Sequence, residues 1–179
     1  VSLRFAADDR IEKVYSYEPF KPTFEAARKN LNLNPGLSKK IAAFNFGLGK
    51  DEATLELPYV ATASGAMSTT HSVCGVGNAP KEKVVVKDAA TEVGRILEEN
   101  QGRCVIVKCD CEGAEFEIFE RLNEEGMIGR IDVVMMEFHY DSPGRLVEVL
   151  IENDFAVQVK SGSSKSRTGY IYAVRMAER

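Results

Sequence analysis

An apolar run in the middle of the chain ends in side chains that can take part in chemistry. The stretch VIVKCDCEGAE covers residues 105–115, so Asp110 and Glu112 follow the apolar residues and Gly113 comes next. A strand that only fills a core has no need of adjacent carboxylates where it ends. Their position predicts acid–base chemistry or ligand binding at this strand end. For Asp110, a simple helix cap is the alternative.

A second apolar run, MMEFHY over residues 135–140, ends in the same way. Glu137 and His139 are two residues apart, so in a strand their side chains point to one face. Histidine exchanges a proton near neutral pH more readily than other side chains. His139 is therefore a candidate general base, with a purely structural hydrogen-bonding role as the alternative.

Two cysteines, Cys109 and Cys111, flank Asp110 and share the opposite face of the same strand. Residues at this spacing on an extended strand do not easily adopt disulfide geometry. Zinc would need two further ligands, and the only histidines are His71 and His139. The pattern favours buried, reduced thiols, and no metal site is predicted.

The elements that must position these side chains alternate along the chain. Apolar periodicity predicts helices at residues 20–34, 88–100, 114–124 and 143–153. Strands are predicted at residues 13–17, 39–46, 53–59, 83–87, 104–110, 131–138, 155–159 and 170–175. Strands such as CVIVK and DVVMM are continuously apolar, which predicts a parallel sheet covered by helices on both faces and hence an α/β fold.

Ligands in such sheets bind beyond the carboxyl ends of the strands. Five polar residues fall at or just past predicted strand ends: Glu18, Asn45, Asp110, Glu137 and His139. Because Glu18 lies between a strand and a helix, its carboxylate can accept hydrogen bonds from the two hydroxyls of a nucleotide ribose. A solvated turn is the alternative. NAD and S-adenosylmethionine both contain this ribose, so Glu18 does not choose between them.

Length and charge exclude several classes of protein. At 179 residues the chain has room for one domain with a real core. The net charge of −4, without a dense Lys/Arg block, argues against a nucleic-acid partner. No apolar run approaches the roughly 20 residues that span a bilayer, so no membrane partner is predicted. Cysteines of reduced character favour the cytoplasm as the location.

Three motifs of the chain resemble motifs of the FkbM-type S-adenosylmethionine-dependent methyltransferases. Their signature is a strand ending in Lys-x-Asp-x-Glu-Gly-x-Glu, which is matched here by Lys108, Asp110, Glu112, Gly113 and Glu115. A later strand in that family ends in Glu-Phe or Glu-x-His, and VVMMEFHY matches it. The acid-Pro pair that follows VYSY matches a third family feature, and the three occur in order along nearly the whole chain.

The resemblance implies a Rossmann-like class I methyltransferase fold, with a mostly parallel sheet and an antiparallel C-terminal strand. It implies S-adenosylmethionine as cofactor and O-methylation of a small-molecule hydroxyl of the sugar, glycolipid or polyketide type. The residues expected to bind the cofactor are Glu18, Pro19, Asn45, Phe46, Gly47, Leu48 and Asp110. Glu112, Glu137 and His139 are expected to hold or deprotonate the acceptor, together with Asp110.

The family's first strand and glycine-rich turn are expected upstream of Val1, and residues 1–7 then correspond to the helix after that turn. The single domain, residues 1–179, is thus expected to be incomplete at its N-terminus. Residues 61–80 are small and polar without a period, which predicts a long loop that could act as a lid. A dinucleotide-dependent oxidoreductase and a non-catalytic α/β module are the alternative functions.

Overall fold

A computed structural model of the chain describes residues 1–62, 67–71, 79–161 and 167–176. Its helices are α1 (Ser2–Ala6), α2 (Lys21–Asn32), α3 (Pro35–Ser38), α4 (Ala89–Glu99), α5 (Glu115–Glu124) and α6 (Gly144–Glu152), with one 3₁₀ turn at Ile128–Arg130. Its strands are β1 (Val14–Tyr17), β2 (Ile41–Phe44), β3 (Gly47–Gly49), β4 (Ala53–Pro58), β5 (Lys81–Asp88), β6 (Ile106–Asp110), β7 (Val133–His139), β8 (Phe155–Ser161) and β9 (Thr168–Arg175).

The chain divides into two compact units. The first contains α1 to α3 together with β1, β2 and β4, and the second contains α4 to α6 and β6 to β9, while β3 and β5 cross the division. In the first unit, β1 and β2 form a parallel pair in which Val14 lies opposite Ile41 and Tyr17 opposite Phe44. Both strands end at the same edge of the pair, immediately before Glu18 and Asn45.

The second sheet of the chain has the strand order β3–β5–β4, with β4 antiparallel to β5. Pro58 ends β4, and β4 is an edge strand, which is the position that proline tolerates because it cannot donate a ladder hydrogen bond. The sequence predicts β4 and β5 as strands but does not predict β3, because Gly47 and Gly49 weaken the strand pattern there.

The second unit contains a four-stranded sheet in the order β6–β7–β9–β8. β6 and β7 are parallel, so Asp110 lies opposite Glu137 at their carboxyl ends. β9 runs antiparallel to both β7 and β8. The predicted α/β class and antiparallel C-terminal strand are confirmed, and antiparallel pairing extends further than the sequence indicates.

Helices α5 and α6 supply the core on one face of this sheet. Their apolar side chains pack with alternate residues of the strands, and the largest fully buried ones include Phe119, Leu122, Leu146 and Leu150. Alternation along β9 places Ile171 in this core and leaves Tyr170 and Tyr172 more than two-fifths exposed on the other face. The buried face fixes the register, because a slip of one residue would expose every core side chain.

Asp88 caps helix α4 at the start of the helix predicted over residues 88–100. Its carboxylate accepts a hydrogen bond from the Thr91 backbone N–H at 2.6 Å, and its other oxygen accepts one from Arg121 at 2.6 Å. Burial raises the pKa of Asp88, but these hydrogen bonds outweigh it and leave the pKa below its usual value. The cap therefore also joins α4 to α5.

Every helix in the described ranges is too short or too polar to cross a membrane. The predicted loop at residues 61–80 lies partly outside the described residues, at 63–66 and 72–78, so its proposed action as a lid stays a prediction. The expected strand upstream of Val1 also stays a prediction.

Candidate functional site

The turn after β1 presents the first candidate carboxylate. The backbone N–H of Glu18 donates to the carbonyl of Phe44, which continues the parallel ladder by one residue. One carboxylate oxygen of Glu18 then accepts the backbone N–H of Phe20 at 2.9 Å, at the start of α2. The second oxygen has no hydrogen-bond partner among the described residues, so it is available to a ligand.

Asn45 braces this turn. Its side-chain amide donates to the carbonyl oxygens of Glu18 at 2.9 Å and Pro19 at 3.2 Å. The two carbonyls are thereby satisfied without a strand partner, which fixes the path of the chain between β1 and α2. Asn45 thus positions the Glu18 carboxylate, a role that the sequence pattern alone does not reveal.

Aromatic rings line the strand ends beside this turn. Tyr17, Phe44 and Phe46 form a cluster with ring centroids 5.2 to 5.5 Å apart, and Phe20 packs on Tyr59 at 5.7 Å. Rings at such separations have the offset or tilted arrangements that their quadrupoles favour. An aromatic surface next to a carboxylate suits a nucleoside, whose base is flat and whose ribose is polar.

The remaining cofactor candidates lie in the segment after Asn45. Gly47 is buried, and Leu48 is partly buried and packs against the core of the second unit.

Burial raises the pKa of Glu18, while the hydrogen bond from Phe20 opposes that rise. The Glu18 carboxylate is therefore poorly solvated and gains from any ligand that donates hydrogen bonds to it.

The turn after β6 has unusual backbone conformations. Glu112 has φ of 50° and Gly113 has φ of 104°, and Tyr140 after β7 has φ of 66°. Left-handed conformations are uncommon for residues other than glycine and concentrate at functional sites. Any Cβ at residue 113 would also lie 2.5 Å from Nδ1 of His71. Both the conformation and the space thus require glycine at residue 113.

Glu115 holds the two strand ends of the second unit together. Its carboxylate is fully buried and accepts the backbone N–H of Gly113 at 2.9 Å and that of His139 at 2.6 Å. The same oxygen that binds the His139 backbone lies 3.2 Å from Nδ1 of the imidazole. The Glu115 carboxylate therefore fixes the backbone at both strand ends and also places a negative charge beside the imidazole of His139.

His139 is oriented by this contact. Because Glu115 accepts at Nδ1, the proton of the neutral ring is assigned to Nδ1, and Nε2 carries the lone pair. Nε2 lies 3.7 Å from a carboxylate oxygen of Glu112 and 3.7 Å from one of Glu137. The side chain of His139 is only 10% exposed, so this lone pair faces a small, negatively charged space.

Glu112 forms the wall opposite His139. Burial raises its pKa, and repulsion from Asp110 and Glu115 acts in the same direction. Its second oxygen lies 3.4 Å from the hydroxyl of Tyr140. The environment therefore stabilises any positive group that enters between Glu112 and His139.

The segment at residues 68–71 packs onto the Glu112–Gly113 turn. Ser68 donates its hydroxyl to the Glu112 carbonyl at 2.5 Å and accepts the backbone N–H of His71 at 2.9 Å. The His71 ring stacks on Tyr140 with centroids 4.5 Å apart. These contacts add Ser68, His71 and Tyr140 to the site, and the sequence pattern assigns none of them a role there.

Asp110 is the most accessible member of the cluster. Its carboxylate pairs with Lys108 at 2.6 Å on the exposed face of β6. Glu137 lies opposite Asp110 in the parallel pair and opposite Tyr170 in the antiparallel pair. The negative charge of Glu137 is the main cause that raises the pKa of Tyr170. The four residues predicted for the acceptor, namely Asp110, Glu112, Glu137 and His139, are thus brought together at one end of the sheet.

Cys109 in β6 and Cys111 just after it are free thiols, as predicted. Cys109 is buried in the core and its sulfur lies 3.6 Å from that of Cys111, a hydrogen-bond contact and not a disulfide. This hydrogen bond holds the pKa of Cys111 below its usual value and raises that of Cys109. Cys104 is also a free thiol, while Cys74 lies outside the described residues.

A cavity of about 510 Å³ lies at the opposite end of the sheet and is distinct from this cluster. Its lining includes Arg130 and Arg175, but these pair with Glu98 and Asp132 at 2.8 Å each. The cavity lacks the combination of carboxylates and an imidazole that the strand-end cluster brings together, so it is not taken as the functional site.

Comparison with known proteins gives one family and one structure. The model of the Methyltransferase FkbM domain matches residues 1–157. Because this match covers most of the chain, the chain belongs to the FkbM methyltransferase domain family. No curated protein matches the chain.

The crystal structure of Methyltransferase FkbM from Methylobacillus flagellatus KT is a structural match with a TM-score of 0.48 and 11% sequence identity. The alignment covers 90% of this chain and 36% of the crystallised protein. The chain therefore spans about a third of the length of that protein.

Proposed function

We propose that this chain carries out methyl transfer from S-adenosylmethionine to a hydroxyl group of a small molecule of the sugar, glycolipid or polyketide type. The observation that carries the proposal is the family match over residues 1–157. The two turns described above contain the residue types that such a reaction needs, and their geometry supports the separate roles given to them below.

The turn after β1 is proposed to bind the cofactor. The ionised Glu18 carboxylate accepts hydrogen bonds from the ribose hydroxyls, using the oxygen that Phe20 leaves available. Asn45 keeps that carboxylate in place, and Pro19, Phe46, Gly47 and Leu48 are proposed to lie beside the adenine. When bound, S-adenosylmethionine supplies an electrophilic methyl group on a positively charged sulfur.

The cluster around His139 is proposed to hold the acceptor and remove its proton. These residues would orient the acceptor hydroxyl and take its proton, while the bound cofactor would supply the methyl group and its sulfur would keep the electron pair of the C–S bond. Asp110 and Glu137 accept hydrogen bonds from the acceptor and fix its orientation. Glu112 adds negative charge beside His139, the group proposed to receive the proton.

His139 is the proposed proton-handling group. Glu115 keeps the proton of the neutral ring on Nδ1, so the Nε2 lone pair faces the space where the acceptor would bind. The lone pair takes the proton directly, as the sequence favours. Alternatively, it binds a cation that assists removal of the proton. His139→Ala removes either route, and the requirement for metal distinguishes them.

The proposed partner is a small-molecule acceptor, and the proposed location is the cytoplasm. The free thiols of Cys104, Cys109 and Cys111 support a reducing compartment. The absence of a dense basic patch supports the expectation that nucleic acid is not a substrate.

Thermal-shift titration of the full gene product tests the proposal against its two rivals. S-adenosylhomocysteine is expected to raise the unfolding temperature in a saturable manner, whereas NAD is expected to leave it unchanged. A shift with NAD alone would support an oxidoreductase, and no shift with either would support a non-catalytic module. Transfer of a labelled methyl group to a panel of hydroxylated acceptors then tests the reaction itself.

A further inference from the structure

Three side chains at the ends of β6 and β7 have the arrangement of a metal site. Asp110, Glu112 and His139 each offer one ligand atom, and these atoms all lie within 4.8 Å of one another. Bonds of about 2.1 Å in an octahedral site place neighbouring donors about 3.0 Å apart and opposite donors about 4.2 Å apart. The 4.8 Å limit is only slightly longer than the spacing of opposite donors.

The imidazole provides the second, independent observation. His139 is nine-tenths buried, and its Nε2 has no hydrogen-bond partner among the described residues. With the proton on Nδ1, the Nε2 lone pair faces carboxylate oxygens of Glu112 and Glu137, each 3.7 Å away. A lone pair that faces two acceptors is unfavourable unless a positive group lies between them.

A directly hydrogen-bonded imidazolium does not account for these distances. Charge-assisted N–H···O bonds have lengths of about 2.7–2.9 Å, and both separations from Nε2 are 3.7 Å. A gap of that size is large enough for a cation bound by Nε2 and the Glu112 carboxylate, with the charge of Glu137 nearby. Glu115 completes the arrangement, because a carboxylate on the far nitrogen is the usual support of a metal-bound histidine.

The charge around this space also favours a cation. Four carboxylates surround His139, namely Asp110, Glu112, Glu115 and Glu137. One ammonium, that of Lys108, pairs with Oδ2 of Asp110 at 2.6 Å. The pair occupies one oxygen of Asp110, and the other oxygen is available as a ligand.

We propose that Asp110, Glu112 and His139 bind one divalent first-row transition-metal ion, with Mn²⁺ as the representative. Two carboxylates and one imidazole suit such ions, whereas Mg²⁺ and Ca²⁺ prefer oxygen ligands throughout. The proposal contradicts the expectation from sequence that the chain has no metal site. The metal site shares these residues with the proposed acceptor site, but it is measurable without cofactor or acceptor.

The experiment is a titration of the chelator-treated full gene product with Mn²⁺, followed by electron paramagnetic resonance. One saturable site is expected, with nitrogen coupling from an imidazole in the electron spin-echo spectrum. His139→Ala is expected to abolish the nitrogen coupling and weaken binding at least tenfold, and Glu115→Gln to weaken it about 10–100-fold. Glu117→Gln, on the exposed face of the same first turn of α5, is the matched control and is expected to change nothing.

Lys108→Met gives a test in the opposite direction, because removing the competing ammonium is expected to tighten Mn²⁺ binding. If wild-type protein shows no saturable binding, or binds Mn²⁺ without nitrogen coupling, the proposal is overturned, whatever the stability of the variants. Mn²⁺ binding without any methyl transfer would support the metal site and contradict the proposed function. Methyl transfer that persists in chelator without Mn²⁺ binding would do the reverse.

Discussion

The turn after β1 and the turn after β6 both place a carboxylate between a strand and a helix, but they hold it differently. Glu18 lies in a turn without left-handed residues, braced by the amide of Asn45. Glu112 has φ of 50° and precedes a glycine that no other residue can replace without strain. The first turn has one carboxylate beside aromatic rings, whereas the second is surrounded by several carboxylates and a histidine.

This difference suits two separate roles for the two turns. A single poorly solvated carboxylate with one open oxygen suits recognition of a neutral polyol, which requires hydrogen bonds and no change of charge. A strained turn with a buried Glu115 and an oriented His139 suits a step in which charge moves, because rigid groups need little reorganisation. We accordingly propose the first turn for cofactor binding and the second for chemistry.

The largest effect is expected when the buried support of the second turn is removed. Glu115→Ala leaves the backbone N–H groups of Gly113 and His139 without acceptors, at about 1–3 kcal/mol each. The free energy of unfolding, measured by urea denaturation, should therefore fall by roughly 2–6 kcal/mol. Glu117→Ala serves as the control, and its free energy of unfolding should fall by much less. Equal losses in the two variants would mean that Glu115 is an ordinary helix-terminal acid.

Removal of the imidazole should affect turnover more than folding. His139→Ala is expected to lower kcat by about 10²–10⁴, because proton removal from the acceptor loses its catalyst. The unfolding temperature and the affinity for S-adenosylhomocysteine should change little by comparison. Near wild-type turnover in this variant would transfer the role to Asp110.

The pH dependence of cofactor binding should reveal the environment of Glu18. Because burial raises the pKa of this carboxyl above 4.5, protonation removes its acceptor function at a higher pH than for an exposed glutamate. Affinity for S-adenosylhomocysteine should fall as the pH decreases through that raised pKa, and Glu18→Gln should lose this dependence. Calorimetric titrations across the range from about pH 8 to about pH 5 give the measurement.

Without ligand the sign is opposite. A carboxyl whose folded-state pKa is raised contributes stability below its unfolded value, and that contribution is lost as pH rises through the folded-state pKa. The ligand-free wild type should therefore gain stability relative to Glu18→Gln as the pH is lowered. An identical pH dependence of stability in the two proteins would contradict the burial of this carboxylate.

The smallest effect is expected at the cap of α4, which lies outside both turns. Asp88→Ala should cost about 0.5–2 kcal/mol of unfolding free energy through loss of the cap to Thr91. Because the pKa of Asp88 is lowered, this stability is present above pH 3.8 and is lost as the pH falls through the lower folded-state pKa. Urea denaturation at neutral and acid pH checks both statements, and turnover should be unchanged.

The strand ends could be predicted from sequence because continuous apolar runs stop where polar residues begin. Glu18, Asp110 and His139 all follow or end such runs, and the structure places each at the carboxyl end of a strand. The Asp88 cap was equally accessible, because its signal is local. These features depend on residues that are neighbours in sequence, so the local sequence pattern is enough to predict them.

The contacts that assemble the second turn could not be predicted in this way. Glu115 has the pattern of an exposed acid in a first helical turn, yet it is fully buried, because one of its partners, His139, lies 24 residues further along the chain. The stack of His71 on Tyr140 joins residues far apart in sequence, and Tyr140 has a left-handed backbone. Local propensity contains no information about either. The bracing role of Asn45 likewise depends on the pairing of β1 with β2.

The central claim, that the turn after β1 binds the cofactor, is tested most directly by calorimetric titration of S-adenosylhomocysteine into two variants of the full gene product. Glu18→Ala should lose one or two charge-assisted hydrogen bonds of about 1.5–3 kcal/mol each, which weakens binding roughly 10-fold or more. Glu25→Ala removes an equivalent but half-exposed carboxylate from α2 and should bind as the wild type does. Unchanged affinity in Glu18→Ala, with a folded protein, would contradict the assignment and leave Glu18 as a residue of the turn alone.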